Sequence, residues 1–131
     1  MPITDVVQHL DQAQHNAAVC AGLDPDTTDF VDWHITLTLY EAIHYIDAYA
    51  LDKNSFVPYT DHAGRFAFVQ SDLGAVNADY ELLYNLSRDA RYEEHYSLYQ
   101  TLVYREIAKR LRTDELERIK QHLRTLGLPI P

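Results

Sequence analysis

Seven histidines among 131 residues raise metal chemistry first. A carboxylate-bridged di-metal bundle needs Glu-x-x-His on two helices and two further glutamates. Glu41-Ala42-Ile43-His44 supplies one copy, no second copy follows, and the His-x-x-x-His zinc spacing is absent. His44 shares a helical stripe with Trp33 and Tyr40, so it reads as a hydrogen-bonded core histidine, and no metal or cofactor is expected. Cys20 has no adjacent base to mark it as a nucleophile, and no Gly-rich phosphate loop occurs. Two polar clusters remain. In Asp61-His62-Ala63-Gly64-Arg65, His62 and Arg65 read in one of two ways. They are either N-terminal capping plus an ion pair with Asp61 or Asp72, or the polar lining of a groove that faces Arg88 and Arg91. The second cluster runs Arg88-Asp89-Ala90-Arg91-Tyr92-Glu93-Glu94-His95-Tyr96. Its plain helical alternative pairs Arg91 with Glu94 or His95, and Arg88 with a neighbouring carboxylate.

The elements that must position these groups are all helical. A hub helix over Asp32–Ala50, ending near Asp52, carries two apolar stripes. One is Phe30, Trp33, Leu37, Tyr40, His44, Ala48 and Leu51; the other is Ile35, Leu39, Ala42, Ile46 and Tyr49. A surface helix needs one stripe, so two predict a helix wrapped by neighbours, with Trp33 and Leu37 buried. An earlier helix is predicted from about Ile3 to Ala21, its apolar face holding Val7, Leu10, Ala13 and Ala17 and its stop at Gly22. The loop Leu23–Asp29 can cap the hub through Thr28 or Asp29. Residues 53–61 form the longest irregular stretch, interrupted by Pro58, with Tyr59 exposed.

A third helix starts near Asp61 or His62 and breaks or bends at Gly74 before Tyr80, Leu83 and Tyr84 resume the stripe. In the last third, Tyr92, Tyr96, Tyr99, Val103 and Ile107 share a face by spacing, opposite Arg105, Lys109 and Arg112. Asp114-Glu115-Leu116-Glu117 reads as a capping box for a separate last helix with Leu116, Ile119, Leu123 and Leu126 inward, ended by Gly127 and Pro129. The sum is an all-α, up-and-down bundle of about five helices in one domain spanning 1–131.

Composition agrees with that class. Four Gly and five Pro are too few for a many-turned β fold, and one cysteine excludes an internal disulfide and fits a reducing cytoplasm. No signal-like start and no membrane-length apolar run is present. The net charge of −9 argues against a polyanion partner, but it is unevenly spread. Residues 1–87 hold two basic and 13 acidic side chains, whereas 88–131 hold nine and seven. The C-terminal third is therefore either a salt-bridged helical surface or a locally basic one.

Taken in order, these motifs resemble the HEPN domains, small helical bundles named for nucleotide binding in higher eukaryotes and prokaryotes. The likeness covers about residues 10–95: Ala13 through His15-Asn16, then Trp33, Tyr40, Ala42 and His44, then His62 and Arg65, then Arg91-Tyr92. Catalytic members are metal-independent endoribonucleases, often toxins, with an Arg, a polar residue and a later His; Arg88-Asp89 and His95 match that order. Histidine moves a proton near neutral pH, and arginine holds a phosphate and the charge that builds on it. The resemblance implies catalysis by Arg88, Asp89 and His95, and binding by His62, Arg65, Arg91 and Tyr92. The Arg105, Lys109 and Arg112 face would add RNA contacts. It also implies a homodimer and, for toxin-type members, a nucleotidyltransferase-type antitoxin partner. Non-catalytic relatives, which bind a nucleotide or a protein, supply the alternative. Of the ten tyrosines, which could serve as stacking platforms for bases, Tyr40, Tyr84 and Tyr99 are expected in the core.

Overall fold

Asp5 opens the first helix, α1 (Val6–Ala21), in extended conformation, its carboxylate accepting the Gln8 N–H at 2.7 Å. A computed structural model describes residues 5–54 and 61–131. The expected positions of Ile3, Pro58 and Tyr59 lie outside the described residues. Along α1 the buried positions are His9, Ala13 and Cys20, with Val6 and Leu10 packed against the core. Val7 is exposed, so the inward face is rotated from the expected stripe and carries a histidine.

The hub, α2 (Val31–Asn54), meets α1, α4 (Asn77–Arg88), α5 (Leu102–Arg110) and α6 (Glu117–Thr125). Ile35, Leu39, Ala42, Ile46 and Tyr49 are all buried, as one stripe predicted. The other stripe behaves differently along its length. Ala48 and Leu51 are buried, Leu37, Tyr40 and His44 are half-buried, and Phe30 and Trp33 are 55% and 54% exposed. The first turn of α2 is covered on the side of Val31 and His34 and open on the side of Phe30 and Trp33, so the expectation of a buried Trp33 is corrected. Neither Thr28 nor Asp29 caps α2 by side chain; Thr28 Oγ1 instead accepts the Phe30 N–H at 3.1 Å.

A third stripe on α2 is polar and buried: His34, Thr38 and Glu41, running on to Tyr45. Thr38, Glu41 and Tyr45 have side-chain partners brought by another element, whereas the buried His34 Nδ1 has none among the described residues. Arg112 reaches Glu41 at 2.7 Å and Thr38 Oγ1 at 3.1 Å, and Gln14 donates to the Tyr45 hydroxyl at 2.6 Å. Thr38 Oγ1 in turn donates to the His34 carbonyl at 2.9 Å. A buried charge persists only when paired in this way. Glu41 of the Glu-x-x-His motif is thus half of an ion pair.

Asp61 caps α3 (His62–Asp72) through the Gly64 N–H, and a 3-10 turn at Gly74–Val76 leads into α4, close to the predicted break. Beyond Arg88 the chain widens into a π turn (Asp89–Glu93), becomes extended at Glu94 and His95, and tightens into a 3-10 turn (Tyr96–Gln100). That interruption separates Tyr92 and Tyr96, both exposed, from buried Tyr99, so the expected shared tyrosine face does not form. The two expected C-terminal helices are one. α5 passes through a π segment (Leu111–Leu116) straight into α6, and Asp114-Glu115-Leu116-Glu117 lies inside it with no capping role. Leu116, Ile119 and Leu123 are buried, Leu126 is not, and the helix stops at Gly127 (φ 98°). Among the described residues the fold is an all-α bundle of five helical rods, α5 and α6 forming the fifth.

Candidate functional site

The open side of the first turn of α2 and the irregular chain after α4 form a cleft with two lobes. The larger, about 490 Å³, is lined by Asp29, Phe30, Asp32, Trp33, Tyr96 and Gln100. The smaller, about 240 Å³, is lined by Asp32, Trp33, Thr36, Ala90, Arg91 and Tyr92. Asp32 and Trp33 belong to both lobes and join them. Phe30, Trp33, Tyr92 and Tyr96 are each more than half exposed, an aromatic concentration that a monomer's surface does not need for packing.

The cleft is held by groups the sequence assigned to another task. Arg105 donates to the carbonyls of Gln100 (2.8 Å), Pro25 (3.0 Å) and Thr28 (2.8 Å). Lys109 reaches Asp26 at 2.7 Å and Glu106 at 2.6 Å, and Gln100 Nε2 donates to the Asp29 carbonyl at 3.0 Å. α5 therefore clamps the loop that precedes α2 and fixes one wall against the other. Arg112 is engaged with Glu41 and Thr38. The Arg105, Lys109 and Arg112 face expected to meet RNA is thus occupied inside the chain.

Arg91 and Tyr92 line the smaller lobe. The Arg91 guanidinium lies 5.3 Å from the Tyr40 ring centroid and 5.2 Å from that of Tyr92, and it donates to Ser87 Oγ at 3.0 Å. It pairs with neither Glu94 nor His95. Arg88 is exposed and lies 3.6 Å from Asp89, the neighbouring carboxylate. His95 is exposed too, its ring 4.4 Å from that of Tyr96. Its Nδ1 accepts the Ser97 N–H at 3.2 Å, so the neutral ring carries its proton on Nε2. A break in the helix separates Arg88 from His95, and each stands at one edge of the irregular segment.

His62 and Arg65 part company. His62 sits edge-on to Tyr84 at 4.9 Å, and burial together with the Arg65 and Arg91 charges lowers its pKa. Arg65 is buried and grips Asp47 with two hydrogen bonds of 2.9 and 3.0 Å; its partner is neither Asp61 nor Asp72. His44 meets His9, Nδ1 to Nδ1, at 3.0 Å, and burial followed by His9 pushes its pKa down to about 4. Cys20 is buried with its thiol pKa raised by that burial, the opposite of an activated nucleophile. No three metal-ligating side chains gather into a possible metal site among the described residues.

Phe30, Trp33, Asp29 and Asp32 were not singled out from sequence as site residues. A signal was available: two aromatics flanked by aspartates at the helix start, beside a turn-rich loop with nothing apolar to cover them. No protein-family model, curated protein or solved structure matches this chain.

Proposed function

We propose that the chain is a HEPN-like helical domain that binds single-stranded RNA or nucleotides in the two-lobed cleft. The observation that carries this reading is the set of exposed aromatic rings beside Arg91. Rings of this kind stack on nucleobases whatever their sequence, at about 1–3 kcal/mol per base. A guanidinium one lobe away suits the phosphate of the same nucleotide. The order of motifs shared with HEPN domains points to the same ligand class. Trp33 is the chain's one tryptophan, so its fluorescence reports directly on the cleft. Titration with 5′-nucleotides and short single-stranded RNA should quench it saturably, and Arg91→Ala should weaken that binding. A flat titration at millimolar nucleotide and micromolar RNA would end the proposal.

A second reading, a metal-independent endoribonuclease, draws on His95 and Arg88. His95 adjoins Tyr96 of the cleft wall; as the imidazolium, with Nδ1 released from the Ser97 N–H and protonated, it can give its Nε2 proton to the departing 5′-oxygen. In that reaction the RNA 2′-hydroxyl gives its proton to solvent and attacks phosphorus, the bond to the 5′-oxygen breaks as that oxygen takes the His95 proton, and a 2′,3′-cyclic phosphate remains. Arg88 would hold the phosphate, with Asp89 orienting Arg88. Cleavage should then persist in EDTA and disappear in His95→Ala. Intact RNA after incubation with wild-type protein, with and without divalent ions, rules the enzyme out and leaves the binding module. The same reading implies a two-fold homodimer, which light scattering would report as about twice the 15.2 kDa protomer, and an antitoxin of nucleotidyltransferase type as partner.

A further inference from the structure

The larger lobe has aromatic walls and an acidic floor, a combination that stacking alone does not explain. Asp29 and Asp32 line it, and neither carboxylate accepts a hydrogen bond or forms an ion pair among the described residues. The nearby Gln100 gives one of its two Nε2 N–H groups to the Asp29 carbonyl, and its side-chain oxygen is an acceptor. Apart from the Trp33 N–H, the Tyr96 hydroxyl and the second Gln100 N–H, the polar groups of the lining side chains accept hydrogen bonds, and no cationic side chain lines this lobe.

Resting on the nucleotide-binding reading above, we propose that the larger lobe selects a guanine base, with Asp29 or Asp32 accepting its N1–H and N2–H₂. The four bases differ in the edge they offer a carboxylate. Guanine presents two adjacent donors, N1–H and the exocyclic amine, which match two carboxylate oxygens. Adenine and cytosine each offer one amine beside a ring nitrogen that accepts, and uracil offers one N–H between two carbonyls. Each of those sets an acceptor against an acceptor, and a buried acceptor without a donor is penalised. Phe30, Trp33 and Tyr96 supply the faces for stacking, and a volume of about 490 Å³ accommodates a purine. Trp33 and Asp32 continue into the smaller lobe, so a base placed here directs its phosphate toward Arg91.

Trp33 fluorescence titration of the full chain with 5′-GMP, IMP, AMP, CMP and UMP decides the matter. GMP should bind roughly ten- to a hundredfold more tightly than AMP, the usual worth of a matched bidentate contact to a base edge. IMP differs from GMP by the exocyclic amine alone, so it should bind more weakly than GMP in the unaltered protein, whatever any variant does. Asp29→Asn or Asp32→Asn, checked for unchanged melting, should bring GMP close to AMP. Equal binding of GMP, IMP and AMP overturns the guanine assignment while leaving nucleotide binding intact. So does a GMP preference that survives both single variants and the double variant. If no nucleotide quenches Trp33, the nucleotide reading itself falls, and this inference with it.

Discussion

At the scale of single residues, burial separates packing from presentation. Trp33 sits on an apolar stripe yet is 54% exposed at the end of the hub, so truncating it opens no cavity. Trp33→Ala should change stability by less than about 0.5 kcal/mol in chemical denaturation while removing nucleotide binding, measured for this variant by calorimetry. A loss of several kcal/mol would place the ring in the core after all. Asp47 is the opposite case. Its carboxylate is buried and held by both arms of the Arg65 guanidinium, so Asp47→Asn leaves a buried cation without its counter-charge. Such a break costs about 3–5 kcal/mol, readable as a lower denaturation midpoint at unchanged slope.

At the scale of elements, the terminal device of the last helix is testable by one methyl group. The Gly127 N–H donates to the Arg124 carbonyl and the Leu128 N–H to the Leu123 carbonyl, a Schellman closure that needs φ of 98° at Gly127. An added Cβ meets nothing within 4 Å, so the cost of Gly127→Ala is conformational alone. It should destabilise by about 1–2 kcal/mol in denaturant melts. The π segment at Leu111–Leu116 belongs to this scale too. It lets one continuous helix send Arg112 in to Glu41 while keeping Leu111, Leu116 and Ile119 in the core.

At the scale of the whole molecule, charge and protonation set the response to solvent. Because Arg105, Lys109 and Arg112 are engaged within the chain, RNA binding should lean on Arg88 and Arg91. Its logarithmic salt dependence should then stay shallow, with a slope magnitude of about 1–2 for single strands. A steep slope would reveal a cationic surface elsewhere. Acid should act through the buried histidines. Burial, then the Arg112 charge, holds the His34 pKa at about 4, and His44 is likewise near 4. With folded values below the ordinary 6.5, the unfolded chain binds protons that the folded chain refuses. Stability is therefore full above about pH 6.5 and falls as the pH drops toward 4. From His34 alone the loss between pH 7 and pH 5 should be on the order of 2 kcal/mol. Urea midpoints measured across that range, with His34→Gln flattening the decline, check it. No described helix is long and apolar enough to cross a membrane.

The sequence by itself determined the helical class, the hub, the Asp61 start of α3, the turn at Gly74 and the stop at Gly127. These are matters of local periodicity, capping and backbone freedom, which depend on residues a few positions apart. The tertiary structure alone decided which faces of those helices are covered. Phe30 and Trp33 have the same spacing as Ala48 and Leu51, but only the latter pair is buried, because the elements that cover Val31 and His34 in the first turn of α2 leave its other side open. The same cause reassigned the cations. Arg105 and Arg112 look free in a linear chain and Arg65 looks paired with Asp61 or Asp72, but each found its partner on an element 18 to 80 positions away. The cleft exists because those distant pairings clamp the 24–30 loop beside Tyr96, a juxtaposition that no local pattern encodes.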